Sequence, residues 1–189
     1  MKKLITLVVL LASVAYLQAQ GTVNFANAAA TRVNYSASVP VLGGTGVQVG
    51  QFTVGLYYAP LSAGATPADV LWSAMSLLTT TGIAPAAGRF LGGVATTPSS
   101  TAGGVDAYFA VRVWQNTFAS YEEAAAGGGY RNLTTTIFRN ATGNPSSVPP
   151  GAAAAMSGFT GVNNVVPEPG TIALGALGAL GLLFIRRRK

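Results

Sequence analysis

Apolar and polar positions alternate without a break from Val105 to Trp114. Val105, Ala107, Phe109, Val111 and Val113 share one phase, and Asp106, Tyr108, Ala110, Arg112 and Trp114 the other. A period of two over ten residues predicts a β-strand with one face in a core. A second run, Val47, Val49, then Phe52, Val54, Leu56 and Tyr58, shifts phase near Gly50-Gln51, as a β-bulge would. Shorter β-patterned segments are expected at 22–25, 32–39, 70–75, 89–91, 134–139 and 158–162. Turn signals separate them, among them Gly43-Gly44-Thr45-Gly46, Ala59-Pro60, Thr97-Pro98-Ser99-Ser100 and Asn144-Pro145. Many short strands at such spacing predict a mostly β body, an antiparallel sandwich or jelly roll. One short helix is legible within it: Ser120 followed three places on by Glu123 forms a capping box, and Gly127-Gly128-Gly129 ends the element after Ala126.

The hydrophobic pattern is different at the two ends. Lys2 and Lys3 precede an apolar run from Leu4 to Leu11 that weakens toward Leu17 and gives way to small and polar residues. This is the layout of a secretory signal peptide. Cleavage is expected after Ala19, with Ala15 as the second choice because Leu17 breaks the small-residue rule. The alternative, a plain transmembrane helix, would need about 20 apolar residues. At the other end, Pro167-Glu168-Pro169 precedes an apolar stretch at 171–185, and Arg186, Arg187, Arg188 and Lys189 follow it. Proline lacks a backbone donor and fixes φ, so the triplet is held extended and outside any helix or central strand. If helical, 171–185 rises roughly 22 Å, short of a hydrocarbon core of about 30 Å, so local thinning must supply the rest. The arginines hold the C-terminus in the cytoplasm and leave the body on the outer side. The organisation that follows is a signal peptide at 1–19, a β-rich exported body at 20–161, a linker at 162–166 and a sorting or anchoring segment at 167–189.

Composition changes this picture mainly by exclusion. The chain has 189 residues with no His and no Cys, and most of its net charge of +6 is carried by the two tips. Residues 21–166 are nearly neutral, which excludes the clustered basic surface that a nucleic-acid binder needs. Without His or Cys, and with lysine only at the extremities, the chain has no Schiff-base lysine in its body, no Ser-His-Asp or Cys-His arrangement and none of the usual zinc ligands. Gly44, Gly46 and Gly50 have the wrong spacing for a phosphate loop and open into a strand. No cofactor and no metal site is expected.

The triplet, the short apolar stretch and the terminal arginine cluster, in that order and at that end, resemble the PEP-CTERM sorting signal of Gram-negative bacteria. The resemblance implies recognition by an exosortase, a membrane-embedded cysteine protease, with Pro167, Glu168 and Pro169 as the sorting motif and Arg186, Arg187 and Arg188 as the membrane-retention signal. It also implies passage through translocon and signal peptidase, a transient membrane anchor, and delivery to the cell surface or an exopolysaccharide-containing matrix. An ordinary tail anchor that is never cut is the competing reading. Residues 108–132 are similar to a segment that recurs in PEP-CTERM proteins as a V-R-x-W strand followed by S-Y-E-E-A, with no activity attached to it.

Three roles for the body remain open. The first is a non-enzymatic structural protein of the surface or matrix. The second is a carbohydrate-binding module, in which Tyr108 and Trp114, on the phase opposite the core, would offer ring faces to sugars. The third is a glycosidase working with two of Asp69, Asp106, Glu122 and Glu123. Three sequons, at Asn34, Asn132 and Asn140, read as coincidence in a chain rich in Asn, Ser and Thr.

Overall fold

The computed structural model describes residues 20–167. The leader at 1–19, Glu168, Pro169, the apolar stretch at 171–185 and Arg186, Arg187 and Arg188 lie outside the described residues. Among the described residues no helix is long and apolar enough to cross a membrane.

The centre of the molecule is the pair predicted most directly by alternation. Strand β3 (Phe52–Pro60) runs antiparallel to β6 (Asp106–Gln115), in register from Phe52 opposite Gln115 to Pro60 opposite Ala107. On one face Phe52, Val54, Leu56 and Tyr58 join Ala107, Phe109, Val111 and Val113 in the main core. The same core takes Val23 and Phe25 from β1 (Thr22–Ala26) and Ala95 from β5 (Leu91–Thr96), so two sheets share one interior. Remaining strands are β2 (Val33–Tyr35), β4 (Ser76–Gly82), β7 (Arg131–Asn132), β8 (Ile137–Ala141), β9 (Ala154–Ala155) and β10 (Val162–Val166). The larger sheet has the order β2-β10-β7-β6-β3-β4, with β8 also paired to β6, and the smaller has β5-β1-β9. The body is mostly β, as expected, but two pairs, β1 with β9 and β10 with β2, are parallel.

Helix α1 (Tyr121–Ala126) forms where the capping box places it. The Ser120 hydroxyl accepts from Glu123 N at 3.0 Å. The Glu123 carboxylate reaches back to Ala119 N at 2.9 Å, one residue earlier than the simple box. Gly127 N then donates to Glu123 O and closes the last turn.

Three expectations are corrected here. The Gly50-Gln51 bulge is a turn: Gly50 has φ +72°, and Val47 pairs irregularly with Val33 and Gly88 ahead of β3. Residues 70–75 are not a strand but a loop with a 3-10 turn at Trp72–Ala74; Val70 and Met75 are apolar because they cover the outer face of the large sheet. The third concerns 162–166. Instead of a linker this segment is β10, bonded to β2 on one side and β7 on the other, with Val162, Val165 and Val166 buried.

Candidate functional site at the junction of body and sorting segment

Gly161 opens β10 with φ +93°, a conformation that a side chain rarely adopts, and a Cβ there would stand 2.9 Å from Arg32 O. The strand is then fixed from both sides. Val162 N donates to Arg32 O at 3.0 Å, Ser36 N to Val165 O at 2.9 Å and Leu133 N to Asn164 O at 3.2 Å. Side chains repeat the pattern: Asn34 Nδ2 donates to Asn163 Oδ1 at 2.7 Å, and Asn164 Nδ2 meets Thr134 Oγ1. Val165 is fully buried, and Pro167, immediately after the strand, is half-buried. Proline cannot donate to the ladder, in keeping with the end of the strand at Val166. A shallow groove of about 210 Å³, lined by Ser38, Val39, Pro40, Leu133, Val166 and Pro167, lies beside the exit.

Comparison with known families gives one result, and it falls on this junction. The PEP-CTERM protein-sorting motif matches residues 165–189. The chain carries an exosortase sorting signal. The motif therefore begins inside the sheet, since Val165 and Val166 are its first two residues and the last two of β10. Its sequence hallmark, Pro167-Glu168-Pro169, starts at the first position beyond the strand, with no spacer. Of the triplet, Pro167 is described; Glu168, Pro169 and the arginines Arg186, Arg187 and Arg188 lie outside the described residues. Neither a curated protein nor a solved structure matches the chain.

The aromatic residues proposed for glycan contact are placed differently from expectation. Tyr108 and Trp114 are on the outer face of β6, but Tyr108 is completely buried and Trp114 is 2% exposed. The reason is that non-strand segments cover this face. Val70, Met75 and Trp72 close over Tyr57, Ala59 and Tyr108, while α1 and Phe118 close over Trp114. Both polar tips are satisfied internally: Tyr108 Oη donates to Gly64 O at 2.9 Å, and Trp114 Nε1 to Phe118 O at 3.2 Å. Gly55 leaves the space that the indole fills, because a Cβ there would approach Trp114 to 2.9 Å. Neither ring presents a face to a ligand in this fold.

Arg112 ties these two covering segments together. Its guanidinium lies 3.3 Å from the Trp72 ring centre and 4.1 Å from that of Tyr121, and it bonds Glu122 at 2.8 Å. A planar fork stacks on rings while its edge pairs with a carboxylate, and an ammonium has no flat face with which to repeat that stacking. Arg112→Lys is expected to cost about 1 to 2 kcal/mol, since stacked cations contribute on that scale; thermal denaturation of the purified body would show it. Burial pushes the Tyr57 hydroxyl above its ordinary value of 10.0, and the Glu122 carboxylate adds to this while Arg112 opposes it. Burial likewise raises Tyr35. Groups raised on folding stabilise fully below their unfolded value and lose that contribution as pH climbs through the raised one. The melting midpoint should thus fall above about pH 10, and Tyr57→Phe should delay the fall. Because the chain lacks His and Cys, the midpoint should stay level through the neutral range.

Each body carboxylate already has a structural partner. Asp69 accepts from Thr66 N at 2.9 Å, Asp106 pairs with Arg139 at 2.6 Å, Glu122 with Arg112, and Glu123 caps α1. Among the described residues no group of three or more His, Cys, Asp or Glu stands together. Two of the sequons carry buried asparagines that brace the fold. Asn132 accepts from Val113 N at 2.7 Å, and Asn140 donates to Ala155 O at 2.9 Å and accepts from Ser157. Asn27, which no motif marks, does the same between Thr31, Gly88 and Phe90. No local signal distinguishes such braces from loop asparagines, because their partners come from distant parts of the chain.

Proposed function

We propose that this is a non-enzymatic structural protein of the cell surface or extracellular matrix, exported across the inner membrane of a Gram-negative bacterium and freed from its membrane anchor by an exosortase. Export, the transient anchor and exosortase processing follow from the sorting motif at 165–189. The signal peptide at 1–19, the cytoplasmic position of Arg186, Arg187 and Arg188, and association with exopolysaccharide are the finer parts of the reading. The observation that carries it is the junction itself: the sorting motif begins within the last two residues of β10, and its Pro-Glu-Pro triplet follows the strand in sequence with no spacer.

Support for a non-catalytic role comes from the carboxylates. A glycosidase works with two carboxyl groups flanking one bond, whereas the four of the body, although accessible to solvent, are each tied into a separate cap or ion pair. The experiment is intact-mass measurement of the chain from cells with and without an exosortase. The reading expects a C-terminus near the triplet in the first and Lys189 in the second, with the cut body recovered alongside the polysaccharide fraction. A chain that still ends at Lys189 in exosortase-bearing cells would overturn it in favour of a permanent tail anchor.

A further inference from the structure

Between Pro167 and the apolar stretch that begins at Thr171 lie only Glu168, Pro169 and Gly170. Four Cα steps span at most about 14 Å even when fully extended. Pro167 is itself fixed to the body through β10, so the end of the body that carries it can never be far from the lipid while 171–185 occupies the bilayer. What lies at that end becomes the question.

Because β2 runs parallel to β10, Tyr35 and Val166 finish at the same edge of the sheet. The loop 36–44 follows Tyr35 there. It contains no charged residue and is tightly bonded: Val39 N donates to Ser36 O at 2.9 Å, Gly43 N to Val39 O at 2.9 Å and Gly44 N to Tyr35 O at 3.1 Å. At its tip Leu42 N donates to Pro40 O at 2.8 Å across Val41, whose φ is +67°. This is the rare positive-φ γ-turn, unusual for a β-branched residue. Val41 is 100% exposed at its apex, and Leu133, across the groove beside Pro167, is 50% exposed. Exposed apolar residues also occur at the opposite end of the sheet, Val148 among them, near where β6 begins. The short tether distinguishes the two ends, since it brings one of them to the lipid and keeps the other away.

We propose that the loop 36–44 and Leu133 form a membrane-docking surface, with Val41 and Leu133 seated in the interface of the adjacent leaflet while the sorting segment is still attached. The proposal rests on the reading of 171–185 as membrane-embedded. Two small apolar contacts would bind weakly alone, but the tether makes the contact intramolecular and raises its effective concentration. Docking holds the triplet against the lipid surface, where an enzyme embedded in the membrane can reach it; severing the tail removes the tether and the body leaves.

The chain has no cysteine, so single substitutions Val41→Cys, Val148→Cys and Ala179→Cys accept an environment-sensitive fluorophore at one site each. The uncut exported chain is reconstituted into phosphatidylethanolamine–phosphatidylglycerol vesicles with lipids brominated at the headgroup end or mid-chain. Labels at Val41 and Ala179 should lose most of their emission, the former to the shallow quencher, as a group roughly 5 to 10 Å into the interface would. The Val148 label should keep its emission. If Ala179 is quenched and Val41 behaves like Val148, docking is wrong while the membrane reading stands. An unquenched Ala179 removes both. A Val41 label that shifts to the blue without bromine quenching is covered by another protein surface, such as a second copy of the chain, which also overturns the proposal.

Discussion

Val165→Asp should leave the body without a cooperative unfolding transition. Val165 is fully buried between β2 and β7. Removing its side chain from the interior forfeits roughly 1.5 to 3 kcal/mol of apolar burial. An unpaired carboxylate in its place adds several kcal/mol of desolvation cost. Together these approach the whole of a stability that ranges over about 5 to 15 kcal/mol for ordinary domains. Far-UV circular dichroism during heating would read the loss directly. The comparison that gives the result its meaning is Asn163→Asp. Asn163 is exposed on the same strand, and its amide partner Asn34 Nδ2 donates as readily to a carboxylate. It should melt within about 0.5 kcal/mol of the parent, as surface substitutions do. A linker would tolerate both substitutions equally, so equal tolerance would refute the assignment of 162–166 to the sheet.

Replacing Pro167, Glu168 and Pro169 together by alanine should abolish cutting while leaving the body folded. The two prolines withhold backbone donors and fix φ; alanine restores both donors and widens the conformations open to the strip. The strip is then free to adopt conformations that the prolines exclude, and it no longer carries the triplet that marks the sorting motif. Fractionation of exosortase-bearing cells should find the variant chain in the membrane, with Lys189 retained by intact mass. The melting curve of the body should be unchanged, which separates failed recognition from failed folding. A variant that is released at the normal level would show that the triplet is dispensable.

How much of this was legible beforehand depended on whether the cause was local. Strands β3 and β6 follow from alternation, and α1 from Ser120, Glu123 and the glycines after Ala126, because those signals lie within a few residues of their effect. The junction was half legible. Pro167-Glu168-Pro169 announces itself, while Val162-Asn163-Asn164-Val165-Val166, coming after an alanine-rich stretch, reads as tail. Its apolar residues bracket two asparagines, and only the partners at Asn34 and Thr134 show that those asparagines close a sheet. Strand β4 carries no alternation signal because it is a threonine-rich edge with little buried surface. Tyr108 and Trp114 show the deepest difficulty. Alternation correctly puts them on the outer face, but whether an outer face meets water is decided by segments such as 61–75 and α1 folding back over it. Sequence periodicity carries no information about that cover.

The two-sided bonding of β10 has a mechanical consequence. A pull on the C-terminus, from a membrane anchor or from anything later joined near the cut, is applied along a strand flanked by a parallel neighbour and an antiparallel one. The bonds on both flanks are then strained together in shear and do not open one by one as in peeling. Forced unfolding is governed by the unfolding barrier and not by equilibrium stability, so the body is gripped at the place where traction would tear a hairpin-ended domain most easily.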